Sequence, residues 1–272
     1  MRRRQGQPLE HQRHPLPPGR VGLLPDPIDA MADDIRLSAD ATGIRKTSSH
    51  VDIDTPSERV SARNLVVCPG VQADRLAGTA GLDPDFRIVP FRGEYFRLAK
   101  HWDGRVSHLI YPVPNPDLPF LGIHLTNMID GSITGGPNAM LGMAREGYPK
   151  FSFSARDVRD YVSFPGFWKM LGSKLGPGLE ELRNSVFRSR YLVQCRKCCP
   201  GLVLDDPAPL EAGIRAQAVG REGKLIHNFL FLHTDRTVFV CNAPSPAATS
   251  ALPIGERIAG RMLERSHNEK AA

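Results

Sequence analysis

Five stretches of the chain carry residue types whose chemistry depends on where they are held. His124 stands between Ile123 and Leu125 at the end of an apolar run that starts at Phe120. An imidazole titrating near neutrality can serve there as a general base, or sit as an ordinary strand histidine. In Pro90-Phe91-Arg92-Gly93-Glu94-Tyr95-Phe96-Arg97-Leu98 a glycine follows an arginine inside an apolar strand. That pattern marks either a close backbone approach to a ligand or a plain bulge. In Gly213-Ile214-Arg215-Ala216-Gln217, alternation puts Arg215 and Gln217 on one face, in a polar pocket or on a solvated edge. Ser132-Ile133-Thr134 opens into Gly135-Gly136-Pro137-Asn138, whose main-chain groups can face a ligand or simply make a loop. Asn242-Ala243-Pro244-Ser245-Pro246-Ala247-Ala248-Thr249 joins a strand to a helix. Such a segment leaves helix N-terminal amides free for an anion, or is closed by an ordinary cap.

These stretches need elements to position them. Short runs at Ile35–Leu37, Val51–Ile53 and Val60–Val67 read as strands, and Val71–Ala77 as a helix. The last strand, the Cys68-Pro69-Gly70 turn and this helix follow the grammar of a dinucleotide-binding sheet. Further strands are expected at Tyr95–Leu98, His108–Tyr111, Phe120–Leu125 and Ser132–Thr134, divided by Pro-Asn-Pro and Asp-Gly turns, and they suggest an antiparallel sheet. Apolar residues three to four apart predict helices over Ala155–Val162, Phe167–Leu175 and Leu179–Cys195. Strands return at Ile214–Val219, Leu225–Leu232 and Val238–Cys241. A final helix carries Ile254, Ile258 and Met262 on one stripe, with Pro253 expected to kink it or delay its start.

The chain has 272 residues, 41% hydrophobic and 24% charged, enough for one large domain or two modest ones. Five arginines against one acid, Glu10, give residues 1–25 a charge of +4 out of a net +6. The basic balance is therefore a property of the tail, and it argues against a nucleic-acid partner. Residues 1–33 have no periodicity and read as disordered or alien to the rest. No apolar run reaches the ~18 residues of a membrane span, and no apolar segment follows Arg2-Arg3-Arg4 as an export signal requires. Five cysteines make no disulfide framework, and Cys195, Cys198 and Cys199 lack a second pair at zinc spacing, so no metal is expected. The expectation is a cytoplasmic protein without a transmembrane segment, one that could sit peripherally at the inner membrane.

The combination and order of five blocks are specific. Residues from about 60 to 265 resemble the L-2-hydroxyglutarate oxidase/dehydrogenase branch of the D-amino-acid-oxidase-like FAD-dependent oxidoreductases. The carrying stretches are PFRGEYFRL, LIYPVPNPDLPFLGIHLT, MIDGSITGGPNAMLGMAREGY, GIRAQAV and NAPSPAATSALPIG. The resemblance implies an enzyme that oxidises a 2-hydroxy dicarboxylate to the 2-oxo acid and passes electrons to oxygen or a quinone. It implies a mixed α+β and α/β fold: part of a Rossmann-like FAD domain in 34–89, a substrate domain with an antiparallel sheet and helices in 90–211, and a return to the FAD domain in 212–272. It makes His124 the base for the substrate hydroxyl. It makes Arg92 and Arg215 the carboxylate clamps, assisted by Tyr95 and Tyr111. It places FAD beside Gly70, Gly136, Pro137, Asn138 and Asn242, and along Ala243, Pro244, Ser245, Pro246, Ala247, Ala248 and Thr249.

The family opens on a Gly-x-Gly-x-x-Gly turn that cradles the FAD pyrophosphate, and this chain contains no such motif. The expectation is thus of an N-terminally truncated member that has lost about the first half of its FAD domain. Its strands at 35–67 should then lack parallel partners. The competing expectation is a non-catalytic fragment of that enzyme.

Overall fold

The computed structural model describes residues 35–113, 122–173, 185, 187–243 and 247–271. Its organising strand is β5 (Phe86–Gly93), an apolar run with polar residues only at Arg87 and Arg92. It pairs antiparallel over its whole length with β11 (Gly213–Gly220), from Phe86↔Gly220 to Gly93↔Gly213. The two faces of β5 enter different cores. Phe86 and Ile88 pack with Val67, Ala73, Ala77 and Phe239. Val89 packs with Tyr161, Phe167, Met170 and Val219. A strand buried on both sides must be apolar at nearly every position, which is why this run has no alternation. The domain boundary expected at 89/90 falls inside this strand, and the one at 211/212 falls just before β11.

The first core holds the βα unit. β4 (Leu65–Val67) runs through a 3-10 turn, Gly70–Gln72, into helix α1 (Ala73–Thr79). It pairs parallel with β13 (Thr237–Asn242), whose other side takes β12 (Leu230–His233) antiparallel. The last helix, α5 (Ala251–Ala271), buries Ile258 and Met262, two residues of the expected stripe. Pro253 neither kinks nor delays it. It lies in the first turn, where a helix has no i−4 carbonyl for its amide, and the missing N–H costs nothing.

A second, fully antiparallel sheet has the order β10-β6-β8-β7, from Ala208–Pro209, Phe96–Arg97, Ile133–Gly136 and His124–Asn127. Helix α4 (Arg188–Arg196) covers one face of it, through Tyr191, Leu192 and Cys195. Helices α2 (Ala155–Val162) and α3 (165–173) lie against β5. Ser154 caps α2 by accepting the Asp157 amide proton.

Several sequence expectations need correction. Ile35–Leu37 is not a strand; Ile35 and Leu37 stand exposed, and the first strand is β1 (Gly43–Lys46). Val60–Val67 is two strands in two sheets. Its first half, β3 (Arg59–Ala62), closes an antiparallel meander with β1 and β2 (Val51–Asp54), and only β4 joins the parallel pair. The polar pair Arg63-Asn64 marks the break. His108–Tyr111 supplies only the bridge Ile110↔Leu125, because Pro112 offers no donor for a longer ladder. β7 begins at His124, later than expected. Residues 114–121 and 174–184, on which parts of two expected elements fall, lie outside the described residues. Leu225 only bridges Val219, and its strand begins at Leu230.

One ionic network fastens these parts together. Arg145, 1% exposed, forks onto both carboxylate oxygens of Asp74 in α1 and donates to the Val71 carbonyl (2.7 Å). Asp74 also accepts the Ile88 amide of β5 (3.1 Å). The Arg145 amide donates to Asp157 in α2 (2.8 Å), whose other oxygen takes Arg75 of α1 (2.6 Å). Burial pushes the Asp157 carboxyl up, but the Arg145 amide and the Arg75 guanidinium outweigh it and hold it below its ordinary value. Removing one member strands a charge in a dry interior. Arg145→Met should therefore lower unfolding free energy by about 3–5 kcal/mol in urea titrations. The contribution of Asp157 is complete above the ordinary aspartate value of about 4 and is lost as pH falls through its depressed folded value. Arg75→Met should flatten this acid limb in Tm measured against pH.

Candidate functional site

The candidate site lies where β7, β8 and the end of β5 meet. His124 is the first residue of β7 and pairs with Gly136, the last of β8. The Tyr111 ring stacks on the imidazole, with centroids 4.5 Å apart at 24°. His124 Nδ1 lies 3.3 Å from the Gly122 carbonyl. That carbonyl can only accept, so Nδ1 carries the proton and Nε2 is the basic nitrogen. Burial lowers the His124 pKa, with the Gly122 carbonyl pulling weakly the other way. The shift favours the neutral imidazole, whose Nε2 lone pair can accept a proton.

Gly136 brings the backbone of β8 against Tyr95. Its φ is +138°, and a Cβ there would stand 2.7 Å from the Glu94 carbonyl oxygen and 3.1 Å from the Tyr95 ring. Only glycine fits that combination of angle and space. Tyr95 is half-buried, and burial raises its hydroxyl pKa, while the nearby Arg215 charge pulls it down. Tyr111 is close enough to be felt by the same hydroxyl. The structure thus brings together His124, Tyr111, Tyr95, Arg215 and Gly136 from four separate stretches. Arg215 is exposed while Gln217 is buried, although both share one face of β11. The Gln217 amide is spent on the Ala218 and Ile226 carbonyls.

Arg92 and Asn138 are engaged elsewhere. Their partner is Glu94, a buried carboxylate. Arg92 Nη1 donates to Glu94 Oε1 (2.7 Å), while Nε and Nη2 donate to the Tyr148 carbonyl (3.2 and 3.1 Å). Asn138 Nδ2 donates to Glu94 Oε2 (3.0 Å), and its Oδ1 accepts the Glu94 amide (2.7 Å). Ser185 donates to Oε2 (2.6 Å), and the Lys150 ammonium lies 3.2 Å from Oε1. Burial pushes the Glu94 carboxyl up, but Ser185, Arg92, Asn138 and Lys150 together outweigh it and hold it low. In this arrangement Arg92 and Asn138 hold the loop in place. Glu94 was legible only as an acid in an apolar strand, a position that demands partners.

The remaining cofactor candidates lie apart from this group in sequence. Gly70 opens the turn into α1 at φ +54°, with nothing within 4 Å of the space a side chain would fill. The Asn242 amide donates to the Ile226 and Asn228 carbonyls (3.1 and 2.7 Å). Ala243 is exposed, and Ala247, Ala248 and Thr249 form the turn before α5. Pro244, Ser245 and Pro246 lie outside the described residues. Cys195 is buried under the site against Gly135, its thiol pushed up to about 12 by burial, and so stays protonated.

A βα unit with a parallel strand pair, joined through β5 and β11 to an antiparallel sheet under helices, is the arrangement of FAD-dependent oxidoreductases. The L-α-glycerophosphate oxidase of Mycoplasma pneumoniae superposes with a TM-score of 0.58 at 19% identity, over 83% of this chain and 50% of its own. The glycine oxidase of Bacillus cereus superposes at 0.54 and 12% identity, over 85% of this chain and 52% of its own. Residues 32–261 match the family model described as FAD dependent oxidoreductase (DAO), and the chain belongs to that family. Among its relatives are the L-2-hydroxyglutarate dehydrogenase of Escherichia coli K12, 49% identical over 84% of this chain and 54% of the relative. The mitochondrial L-2-hydroxyglutarate dehydrogenase of Homo sapiens is 39% identical over 78% of this chain and 47% of its own length. The chain spans about half the length of the curated relatives it matches.

Two adjacent glycines provide a controlled test of this geometry. At Gly135 an added Cβ would meet Leu125, Cys195 and Tyr191 at 3.4–3.9 Å, ordinary contact distances. Gly135→Ala should be neutral or stabilising, within about 1 kcal/mol in urea unfolding. Gly136→Ala should cost about 1–3 kcal/mol from backbone strain, with the clash against Glu94 adding to it.

Proposed function

We propose that this chain carries the substrate side of an FAD-dependent oxidation of L-2-hydroxyglutarate to its 2-oxo acid. The observation that carries the reading is the basic Nε2 of His124, stacked by Tyr111 and gathered with Tyr95 and Arg215, in a chain whose relatives are L-2-hydroxyglutarate dehydrogenases. Residues 34–89 and 212–272 serve as its part of the FAD domain, and 90–211 as its substrate domain.

The residues present fit a flavin in part. The open turn at Gly70, after a parallel strand and before α1, gives main chain an unobstructed approach to a bound group. No Gly-x-Gly-x-x-Gly turn is present to hold a pyrophosphate. When bound, FAD would accept the hydride from the α-carbon. His124 Nε2 takes the hydroxyl proton as that bond breaks. Arg215 binds the neighbouring carboxylate, with the Tyr95 and Tyr111 hydroxyls as further donors. Tyr111 stacking fixes the ring plane, and the Gly122 carbonyl fixes the tautomer.

The purified protein, with FAD added, should show flavin absorption that bleaches with L-2-hydroxyglutarate. His124→Gln should slow bleaching about 10²–10⁴-fold. The rate should rise with pH to a plateau, with its inflection below the ordinary histidine value of about 6.5, because burial lowers the His124 pKa. This inflection should vanish in the variant. Reoxidation by oxygen or by a quinone, compared in stopped flow, assigns the acceptor. Among the described residues no helix is long and apolar enough to cross a membrane. The second reading is a non-catalytic fragment of that enzyme; protein that stays colourless with excess FAD supports it.

A further inference from the structure

The structure assigns the far carboxylate of a dicarboxylate substrate to Lys150 and Arg188, in a cleft that adjoins the His124 group through Tyr95. This inference rests on the reading above and deepens it. The cleft holds about 770 Å³ and has Tyr95 in its lining. Phe96, Pro149, Leu210 and Ala212 supply apolar lining, suited to the methylenes between two carboxylates. Its charged groups are three cations, Arg92, Lys150 and Arg188, and two acids, Glu94 and Glu211. Arg92 and Glu94 satisfy one another at 2.7 Å. Lys150 shares Glu94 with Arg92, and with Arg188 against Glu211 the three cations outnumber the two acids by one, so the field favours an anion.

Both cations are held and still have donors to give. Lys150 Nζ donates to the Ser185 carbonyl (2.9 Å) and pairs with Glu94 (3.2 Å), with its side chain 37% exposed. An ammonium has three donors, so one remains. Arg188 is the first residue of α4, and its Nη2 donates to the Leu204 and Pro207 carbonyls (3.2 and 2.7 Å). Among the described residues Nε and Nη1 have no protein partner. A guanidinium tied at one nitrogen has already lost much of its freedom, which lowers the entropy cost of binding a carboxylate. Arg92, the clamp expected from sequence, has three of its five donors turned to Glu94 and Tyr148. It acts by placing Glu94, and through it Lys150.

The test measures affinity by calorimetry for two 2-oxo acids that cannot turn over, with and without FAD. 2-Oxoglutarate has the second carboxylate, and 2-oxobutyrate lacks it. Wild type should bind 2-oxoglutarate more tightly. Lys150→Met and Arg188→Met should each weaken 2-oxoglutarate about tenfold or more beyond any loss they cause for 2-oxobutyrate. Arg215→Met should weaken both acids. Circular dichroism and Tm confirm that each variant is folded. Unchanged 2-oxoglutarate binding in both cleft variants, or an equal loss for both acids, overturns the assignment. If Arg215→Met still weakens both acids in that case, the reading of the His124 group stands without it. If wild type binds neither acid even with FAD, the assignment and the reading fall together.

Discussion

The arrangement depends on a charge that cannot stay buried alone. Arg145 is almost fully enclosed, and although its Nε has no partner among the described residues, a guanidinium in such a place is tolerable because its charge is paired and its terminal nitrogens are accepted. Asp74 and the Val71 carbonyl accept from its two terminal nitrogens, and the Arg145 amide is taken by Asp157. Because Asp74 also accepts from Ile88 and Asp157 from Arg75, satisfying one cation aligns α1, β5 and α2 at once. The stretch around Arg145 belongs to the expected substrate domain and Asp74 to the expected FAD domain. Their relative position is therefore fixed by ionic geometry as well as by apolar packing.

The same logic recurs at Glu94. A buried carboxylate in the short link between β5 and β6 gathers Arg92, Asn138, Ser185 and Lys150 from four separate places in the chain. The β5 end and the Gly136–Asn138 loop are thereby clamped, with the carbonyl of Glu94 against Gly136. His124 pairs with that glycine, so its position follows from the clamp. β5 links both networks. Near its start it meets Asp74 through Ile88, and at its end it carries Arg92 toward Glu94. A change in either network should thus be felt along one strand.

Much of the fold was legible because local pattern and tertiary role agree. Ala155–Val162 is a helix at its expected bounds, since its cap and apolar spacing are local properties. The apolar run Val238–Cys241 is buried throughout within β13. Where the reading failed, the deciding partner was distant. Val60–Val67 looks like one strand, yet its halves serve different sheets because β2 claims one and β13 the other. β1, with Gly43, Arg45 and Lys46, has a poor strand composition and exists because β2 is there to pair with.

The site divides the same way. The motif order pointed to the family, and the resemblance in turn implied His124 and cationic clamps as candidates, because such motifs are specified by chemistry at single positions. Where each arginine points was decided only in three dimensions. Arg92 and Arg215 are equal candidates in sequence, but Arg92 is turned to the buried Glu94 carboxylate, whereas the charge of Arg215 reaches the Tyr95 hydroxyl. Lys150, Ser185 and Arg188 carried no sequence signal at all. Their importance comes from sharing a cleft and a hydrogen-bond network, and proximity between residues far apart in the chain exists only once the chain has folded.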